Sequence, residues 1–430
     1  MSEMFDVAIV GGGMVGANLA VALAPLGLSV ALIESVPFDS AANPSFDERT
    51  TALSNGSRRI LETLGLWASV AGAATPIRKI HISDQGHFGF ARIDAAEQGL
   101  AALGFVLPNR VLGAALWSRI VAGGTGVRTF CPVEVLEVTP GEHAVDVEMR
   151  AADGVTANVQ AKLIVAADGV NSVVRRALGV GAESRDYGQT AVITTVLPQR
   201  FHDHVAYERF TSTGPLALLP LSDGRCTLVL TLDTELASRA LAWSDAEFLA
   251  ETQSRFGFRL GRFLQVGRRA AYPLALTQSE RTSARRCALV GNAAQALHPV
   301  AGMGFNLGLR DVACLAELIA ANRTAGTDDP GDAGLLAEYD TWRASDRLAI
   351  IRFTDGLVRI FSTRLRFVRS LRNLGLLAFD LAPPAKDALS RLSTGAGGRI
   401  PKLARGVPLK PPTAAARSTV AGSDVGGPAT

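Results

Sequence analysis

The chain has 430 residues, of which 48% are hydrophobic and 19% charged, so two domains and a large buried core are expected. Lys and Arg number 43 against 40 Asp and Glu, and the net charge of +3 gives no global field for nucleic acid. The cysteines (Cys131, Cys226, Cys287, Cys314) include no CxxC pair and the six histidines show no paired spacing, which argues against a disulfide framework or a metal centre. No uninterrupted apolar run reaches the roughly 20 residues that a membrane-spanning helix needs.

Phe5-Asp6-Val7-Ala8-Ile9-Val10 is a short β-branched run that reads as a buried parallel strand, and a strand this close to Met1 leaves no signal peptide in this reading. Gly11, Gly13 and Gly16 follow at the first, third and sixth places of GxGxxG. Gly11 allows a tight turn, Gly13 lets a pyrophosphate approach the backbone, and Gly16 lets the next helix pack close to the sheet. That helix, expected from Met14 and Val15 to about Pro25, points its free N–H groups at the phosphates. Ser29 to Ile33 is the second strand. It ends at Glu34, a carboxylate suited to the ribose hydroxyls of an adenosine. Strand, glycines, helix, strand and acid within about thirty residues predict a dinucleotide site far better than a lone GxGxxG.

Arg49 sits in a polar loop, as a surface charge or as a phosphate or flavin contact. Ser54 is an N-cap candidate for a helix to Leu66. Pro76 to Gly104 suggests strands reaching away from the nucleotide core, and Asn109 to Val121 returns to helical spacing. Val133 to Val147 and Val155 to Val159 alternate as strands. Leu163 to Ala167 is then a second buried strand, ending in Asp168-Gly169. Asp168 lies where open α/β sheets bind ligands, or it belongs to an Asp-Gly turn with an Asn/Ser cap. Gln189 to Tyr272 is strand-rich with few helix signals and makes a candidate second domain. Cys287 to Gly291 is a third apolar strand, running into Asn292. His298 to Gly308 follows, with Gly302 and Gly304 forming another backbone-lined anion site before a helix to about Ala321. His298 reads first as a structural histidine and Met303 as pocket packing. Ser345 to Leu381 is basic and amphipathic, either a helix covering the core or a surface for anionic lipid or a partner. The tail from Pro411 is expected to be disordered.

Three signals thus stand in order: Gly11-x-Gly13-x-x-Gly16 with Glu34; Asp168-Gly169-x-x-Ser172-x-x-Arg175; and Gly291-Asn292 leading to Pro299-x-x-Gly302-x-Gly304. This set resembles the FAD-dependent aromatic hydroxylases of the p-hydroxybenzoate hydroxylase fold. It is most similar to the ubiquinone-biosynthesis hydroxylases of the 2-polyprenyl-6-methoxyphenol hydroxylase type. Asp47 to Ser54, Glu208-Arg209-Phe210 with Gly214 to Ala217, Gly291 to Pro299, Thr354 to Leu357 and Pro401 to Gly406 carry that narrower likeness.

The resemblance implies an α/β fold: a Rossmann-like FAD-binding domain (1–75, 105–182 and 275–345), a β-sheet-rich substrate domain (76–104 and 183–274), a C-terminal helical segment (346–410) and a tail (411–430). It implies FAD pyrophosphate on Gly11, Gly13 and Gly16 and adenosine ribose on Glu34. Arg49, Asn109 and Arg110 would hold the pyrophosphate region. Asp168 and Gly169 would lie along the cofactor and the route of NAD(P)H, a transient co-substrate. Asn292 would hold the ribityl chain, Gly302 to Asn306, with Gly304 and Phe305, would face the flavin ring, and Pro299 would be a further cofactor-binding residue. Asn292 replaces the wider family's Asp, and Met303 replaces its usual Gln. The implied reaction is ring hydroxylation of a polyprenyl phenol with O₂ through a C4a-hydroperoxyflavin, in the cytoplasm or at the inner face of a membrane beside other ubiquinone-biosynthesis proteins. A same-fold hydroxylase of a soluble phenol, an idle flavoprotein of a membrane complex and a plain NAD dehydrogenase are the alternatives.

Overall fold

The structure, a computed structural model, describes residues 3–37, 49–87, 89–297, 302–362 and 398–410. Strand Glu3–Val10 lies inside a sheet because it is apolar on both faces; Val7, Ala8 and Ile9 are wholly buried. Its neighbours run parallel, in the order Cys287–Leu289, Thr156–Ala166, Glu3–Val10, Val30–Ile33 and Val127–Phe130. Helix Met14–Leu23 covers one face, where Leu19 and Leu23 join Ile9 and Leu163 in the main core. Antiparallel strands Val133–Pro140 and Val145–Ala151 extend the sheet from Thr156–Ala166.

A nine-stranded sheet is organised on the long strand Ala182–Pro198. Its outer face (Val192, Leu216, Leu218, Leu228, Leu230) packs against helices Thr234–Ala242 and Asp245–Phe256. These two helices correct the expectation of few helices in 189–272. The second carries a capping box that is legible in the sequence: Ser244 accepts from the Glu247 N–H, and the Glu247 carboxylate accepts from the Ser244 N–H. Thr50–Ser54, Gly104–Pro108 and Thr75–Ile77 form a small third sheet. Its Ala52, Val106 and Ile77 pack on Ala206 and Leu219 of the large sheet and on Leu221 in the turn after it.

Helix Met303–Thr324 fills the core beside the parallel sheet, and helix Ala333–Ser362 lies against it. A buried ionic network joins them. Asp311 accepts from Arg343 Nε at 2.7 Å, from the Gly291 N–H at 2.9 Å and from Gln295 Nε2 at 2.8 Å. Asp346 accepts from both Arg343 and Arg310 at 2.5 Å. Arg347, read from sequence within a basic amphipathic segment, is buried and donates to the Ser279 and Ala294 carbonyls. Arg352 is exposed; Arg364, Arg366, Arg369 and Arg372 lie outside the described residues, as do Asp47, Glu48 and the tail from Pro411. Of the stretch 346–410, expected as a helical segment of its own, residues 363–397 lie outside the described residues; residues 346–362 continue helix Ala333–Ser362, and Leu403, Ala404 and Leu409 sit in the core of the parallel sheet.

Asp311 and Arg343 are both fully buried, so removing one partner leaves an uncompensated charge. Asp311→Ala is expected to lower unfolding free energy by about 3–5 kcal/mol in denaturant titration. A change under about 1 kcal/mol would show that the network contributes little.

Candidate functional site

Four strands present their carboxyl ends along one edge, and the three sequence signals meet there. The Gly11 N–H donates to the Ile33 carbonyl at 2.8 Å, Ala167 N–H to Val10 at 2.8 Å, and Val290 N–H to Ala166 at 3.0 Å. Glu34, Gly11, Asp168 and Gly291 are therefore neighbours in that lateral order. Open parallel sheets offer this edge to ligands.

The chain approaches itself closely here because side chains are missing. Gly11 has φ +103, and a Cβ there would lie 2.4 Å from the Ala167 carbonyl oxygen. A Cβ on Gly16 would lie 1.9 Å from the Gly11 oxygen. Gly12, which the motif leaves unspecified, is equally constrained: its Cβ would meet Trp117 at 2.8 Å and Glu34 at 3.0 Å. Val15 is wedged between Gly291 and Gly308, which docks helix Met14–Leu23 against Met303–Thr324.

Both helices begin without a side-chain cap, at Gly13 and at Gly302, the latter in the left-handed region. Two uncapped helix starts set a positive dipole end at each end of this region. Open space surrounds the Cβ positions of Gly169 and Gly304, and Phe305 is half-buried against the main core.

Asp168 does two jobs. Its Oδ2 accepts from the Val173 and Val174 N–H groups at 2.7 and 3.3 Å, and Ser172 Oγ supplies the Ser cap by accepting from the Arg175 N–H at 3.0 Å. Its Oδ1 is buried with no partner among the described residues, which leaves an acceptor for a ligand hydroxyl. Burial raises the carboxyl's pKa; hydrogen bonds from Ser172 and from the Val174 and Val173 N–H groups oppose the shift. Arg175 ties this turn to the third signal, donating to the Ala293 carbonyl at 2.8 Å and to Val170 at 2.8 Å.

Other expected site residues take more specific places. Glu34 is half-buried and accepts from the Gly12 N–H at 2.6 Å and from Val36 at 2.8 Å, so it braces the glycine turn while bordering it. The guanidinium of Arg49 stacks over Tyr272, 4.6 Å from the ring centre. Asn109 is buried and accepts from Thr51 Oγ1 at 2.7 Å, whereas Arg110 is exposed. Asn292 is exposed at the strand edge. Asn306 was expected against the flavin ring, but its amide is committed within the protein. It donates to the Ala52 and Gly302 carbonyls and accepts from the Ser54 N–H, so it positions the Gly302 turn. Met303 packs with Leu307, Leu297 and Ile350. His298 and Pro299 lie outside the described residues.

This edge fits FAD: adjacent backbone turns at Gly11, Gly169 and Gly291, two uncapped helix starts and an orphaned carboxylate oxygen. Gly16→Ala is expected to yield protein with little flavin absorbance, whereas Gly72→Ala, whose Cβ would meet nothing within 4 Å, keeps it. A yellow, folded Gly16→Ala protein would remove the close-approach argument.

Residues 4–354 match the family described as FAD binding domain. A ubiquinone hydroxylase of Rhodospirillum rubrum, UbiL, is 40% identical over 95% of this chain and 94% of its own length. The 3-demethoxyubiquinol 3-hydroxylase of Escherichia coli is 32% identical over 91% of this chain and 98% of its own. Among solved structures, p-nitrophenol 4-monooxygenase PnpA of Pseudomonas putida superposes with a TM-score of 0.77 at 21% identity, covering 93% of this chain and 100% of that one, a likeness of fold. With a family match over most of its length and relatives this similar end to end, the chain belongs to the FAD-binding-domain family that includes the ubiquinone-biosynthesis hydroxylases.

Proposed function

We propose that this protein is an FAD-dependent monooxygenase that hydroxylates the aromatic ring of a polyprenyl phenol in ubiquinone biosynthesis, using O₂ and NAD(P)H. The observation that carries the reading is the single edge joining Glu34, Gly11–Gly16, Asp168 and Gly291, in a chain whose end-to-end relatives bear ubiquinone hydroxylase names. When bound and reduced by NAD(P)H, FAD supplies the activated oxygen.

The chain's own residues have four tasks. Gly13 and the helix start behind it receive the pyrophosphate through backbone N–H groups, helped by Arg49 and the turn at Asn109 and Arg110. Glu34 borders the ribose, Asp168 Oδ1 accepts from a cofactor hydroxyl, and Asn292 lies beside the ribityl chain. The N–H groups after Gly302, Gly304 among them, stabilise negative charge at the ring end, with Phe305 alongside. The inner face of the large sheet walls the substrate and keeps water from the reacting atoms. In this reading the domains divide as 1–75, 105–182 and 275–345 for FAD, and 76–104 and 183–274 for substrate.

The nicotinamide docks briefly along Asp168 and Gly169. A prenylated substrate partitions into lipid, and exposed Leu348 and Arg352 give helix Ala333–Ser362 an apolar and basic surface for peripheral contact with an anionic membrane. No helix among the described residues is long and apolar enough to cross one.

Deleting the gene in a quinone-making bacterium is expected to abolish the quinone and accumulate a precursor one ring oxygen short, read by mass spectrometry; an unchanged quinone profile would refute the assignment. The purified protein is expected to float with anionic liposomes at low salt and to leave them as salt rises. Recovery wholly in the soluble fraction at low salt would end the membrane proposal.

A further inference from the structure

Glu208 is the carboxylate in an otherwise apolar cross-strand row. Along strand Val205–Thr211, Tyr207 and Arg209 face the helices: Tyr207 packs edge-on against Phe256, and Arg209 Nε donates to the Arg255 carbonyl at 2.9 Å. Alternate residues face the other way. Ala206 packs with Ala52, whose Cβ stands 3.1 Å from where a Gly302 side chain would begin. Glu208 shares that inner face, two residues along. Register places it beside Ile82 and Ala217, and the row continues through Val229, Ile193 and Ala270, none of them charged.

No hydrogen-bond donor or cation among the described residues reaches Glu208. The surrounding charged groups are Asp84, on the same face of the adjacent strand, Arg209 on the opposite face, and Arg49, occupied on Tyr272. The residue is half-buried, and desolvation is the one cause that raises its carboxyl's pKa. An unpartnered acid at such a place costs stability and calls for a ligand donor.

We propose that Glu208 accepts the hydrogen of the substrate's phenolic hydroxyl and takes that proton as the ring is oxidised. The inference rests on the proposed hydroxylase function. The phenol O–H bond breaks and a carboxyl O–H bond forms, pushing the electron pair into the ring. The ring carbon then bonds to one atom of O₂ as the O–O bond breaks; NAD(P)H, by way of FAD, supplies the two electrons, and the second oxygen atom leaves as water. Rearomatisation releases the C–H proton to solvent, and Glu208 returns its proton to the phenolic oxygen, restoring the carboxylate. Burial pushes the Glu208 carboxyl up to about 7. A base of that strength is nearer to a phenol than an ordinary carboxylate is, and is still ionised in mildly alkaline solution.

The experiment uses the FAD-loaded full chain, a prenylated phenol and its O-methyl ether. Wild-type turnover is expected to rise through about pH 7, because the base must be ionised, and Glu208→Gln is expected to be roughly 100-fold slower at about pH 8 and to lose that limb. Binding is read separately from perturbation of the oxidised flavin spectrum, without NAD(P)H. Wild type is expected to prefer the phenol by roughly 10-fold or more, and Glu208→Leu to bind phenol and ether alike.

The stability sign is independent of activity. The folded carboxyl's pKa is raised, so the neutral form is favoured by folding, and stability is lost between the unfolded value and about 7 as pH rises. Glu208→Gln is therefore expected to melt higher than wild type at about pH 8, with the gap closing towards about pH 5. Glu208→Gln turnover equal to wild type, or wild-type binding that ignores the methyl ether, overturns the proposal. A wild type that binds phenol selectively yet oxidises none refutes the hydroxylase reading and with it the proton-transfer role, leaving Glu208 only as a ligand acceptor.

Discussion

Steric exclusion governs this fold. At Gly11, Gly12 and Gly16 there is no volume for even a methyl group, and Val15 occupies the space that side chains at Gly291 and Gly308 would need. The helix after the first strand can therefore sit directly against the sheet and against helix Met303–Thr324. Every element of the nucleotide edge takes its position from that contact. The left-handed turns at Gly291 and Gly302 re-aim the chain where an ordinary side chain would be strained. Close packing brings backbone N–H groups to the surface of the slot in place of side chains, as a polyanion requires.

Behind the edge, polar interactions fix what packing alone would leave adjustable. Asp311 grips the Gly291 N–H and the Gln295 amide, and Arg343 neutralises it from the next helix. Tyr339 adds a hydrogen bond to the Leu289 carbonyl, and Arg175 holds Ala293 from the other side. The turn carrying Asn292 is thus clamped from two directions. Buried ion pairs are expensive as sources of stability. Their use here is geometric, since a loose turn would let the carboxylate of Asp168 and the start of helix Met303–Thr324 drift apart.

The nucleotide edge was readable in the chain because its determinants are local. Glycine spacing, a β-branched strand and a terminal acid fall within Phe5 to Glu34, and helix Asn109–Val121 ends where its periodicity does. The DGxxSxxR stretch was readable as a signal, but the roles of Asp168 Oδ2 and Arg175 depend on a helix only five residues long and a carbonyl at Ala293. The partners of Asn306 are equally non-local: its sequence position marks it as a neighbour of the glycine pair, whereas the Ala52 carbonyl and the Ser54 N–H that its amide engages come from a distant strand. Arg347 reads as a solvent charge in any helical projection and is buried only because Ser279 and Ala294 supply acceptors. The paired helices at 234–256 are legible in retrospect, since their Ala, Leu and Glu content favours helix and the Ser244–Glu247 box marks the second one.

The strand order also bears on how the polypeptide matures. Glu3–Val10 can pair with Val30–Ile33 early during synthesis, but its other partner begins at Thr156 and the next at Cys287. Until Thr156–Ala166 has been made, one flank of the apolar first strand has no mate, and the carboxyl end of Thr156–Ala166 then waits for Cys287–Leu289, an arrangement prone to wrong association. Capture of the dinucleotide is consequently a late event. A polypeptide stopped short of the Gly291 turn carries the glycine signature without the means to close around what it binds.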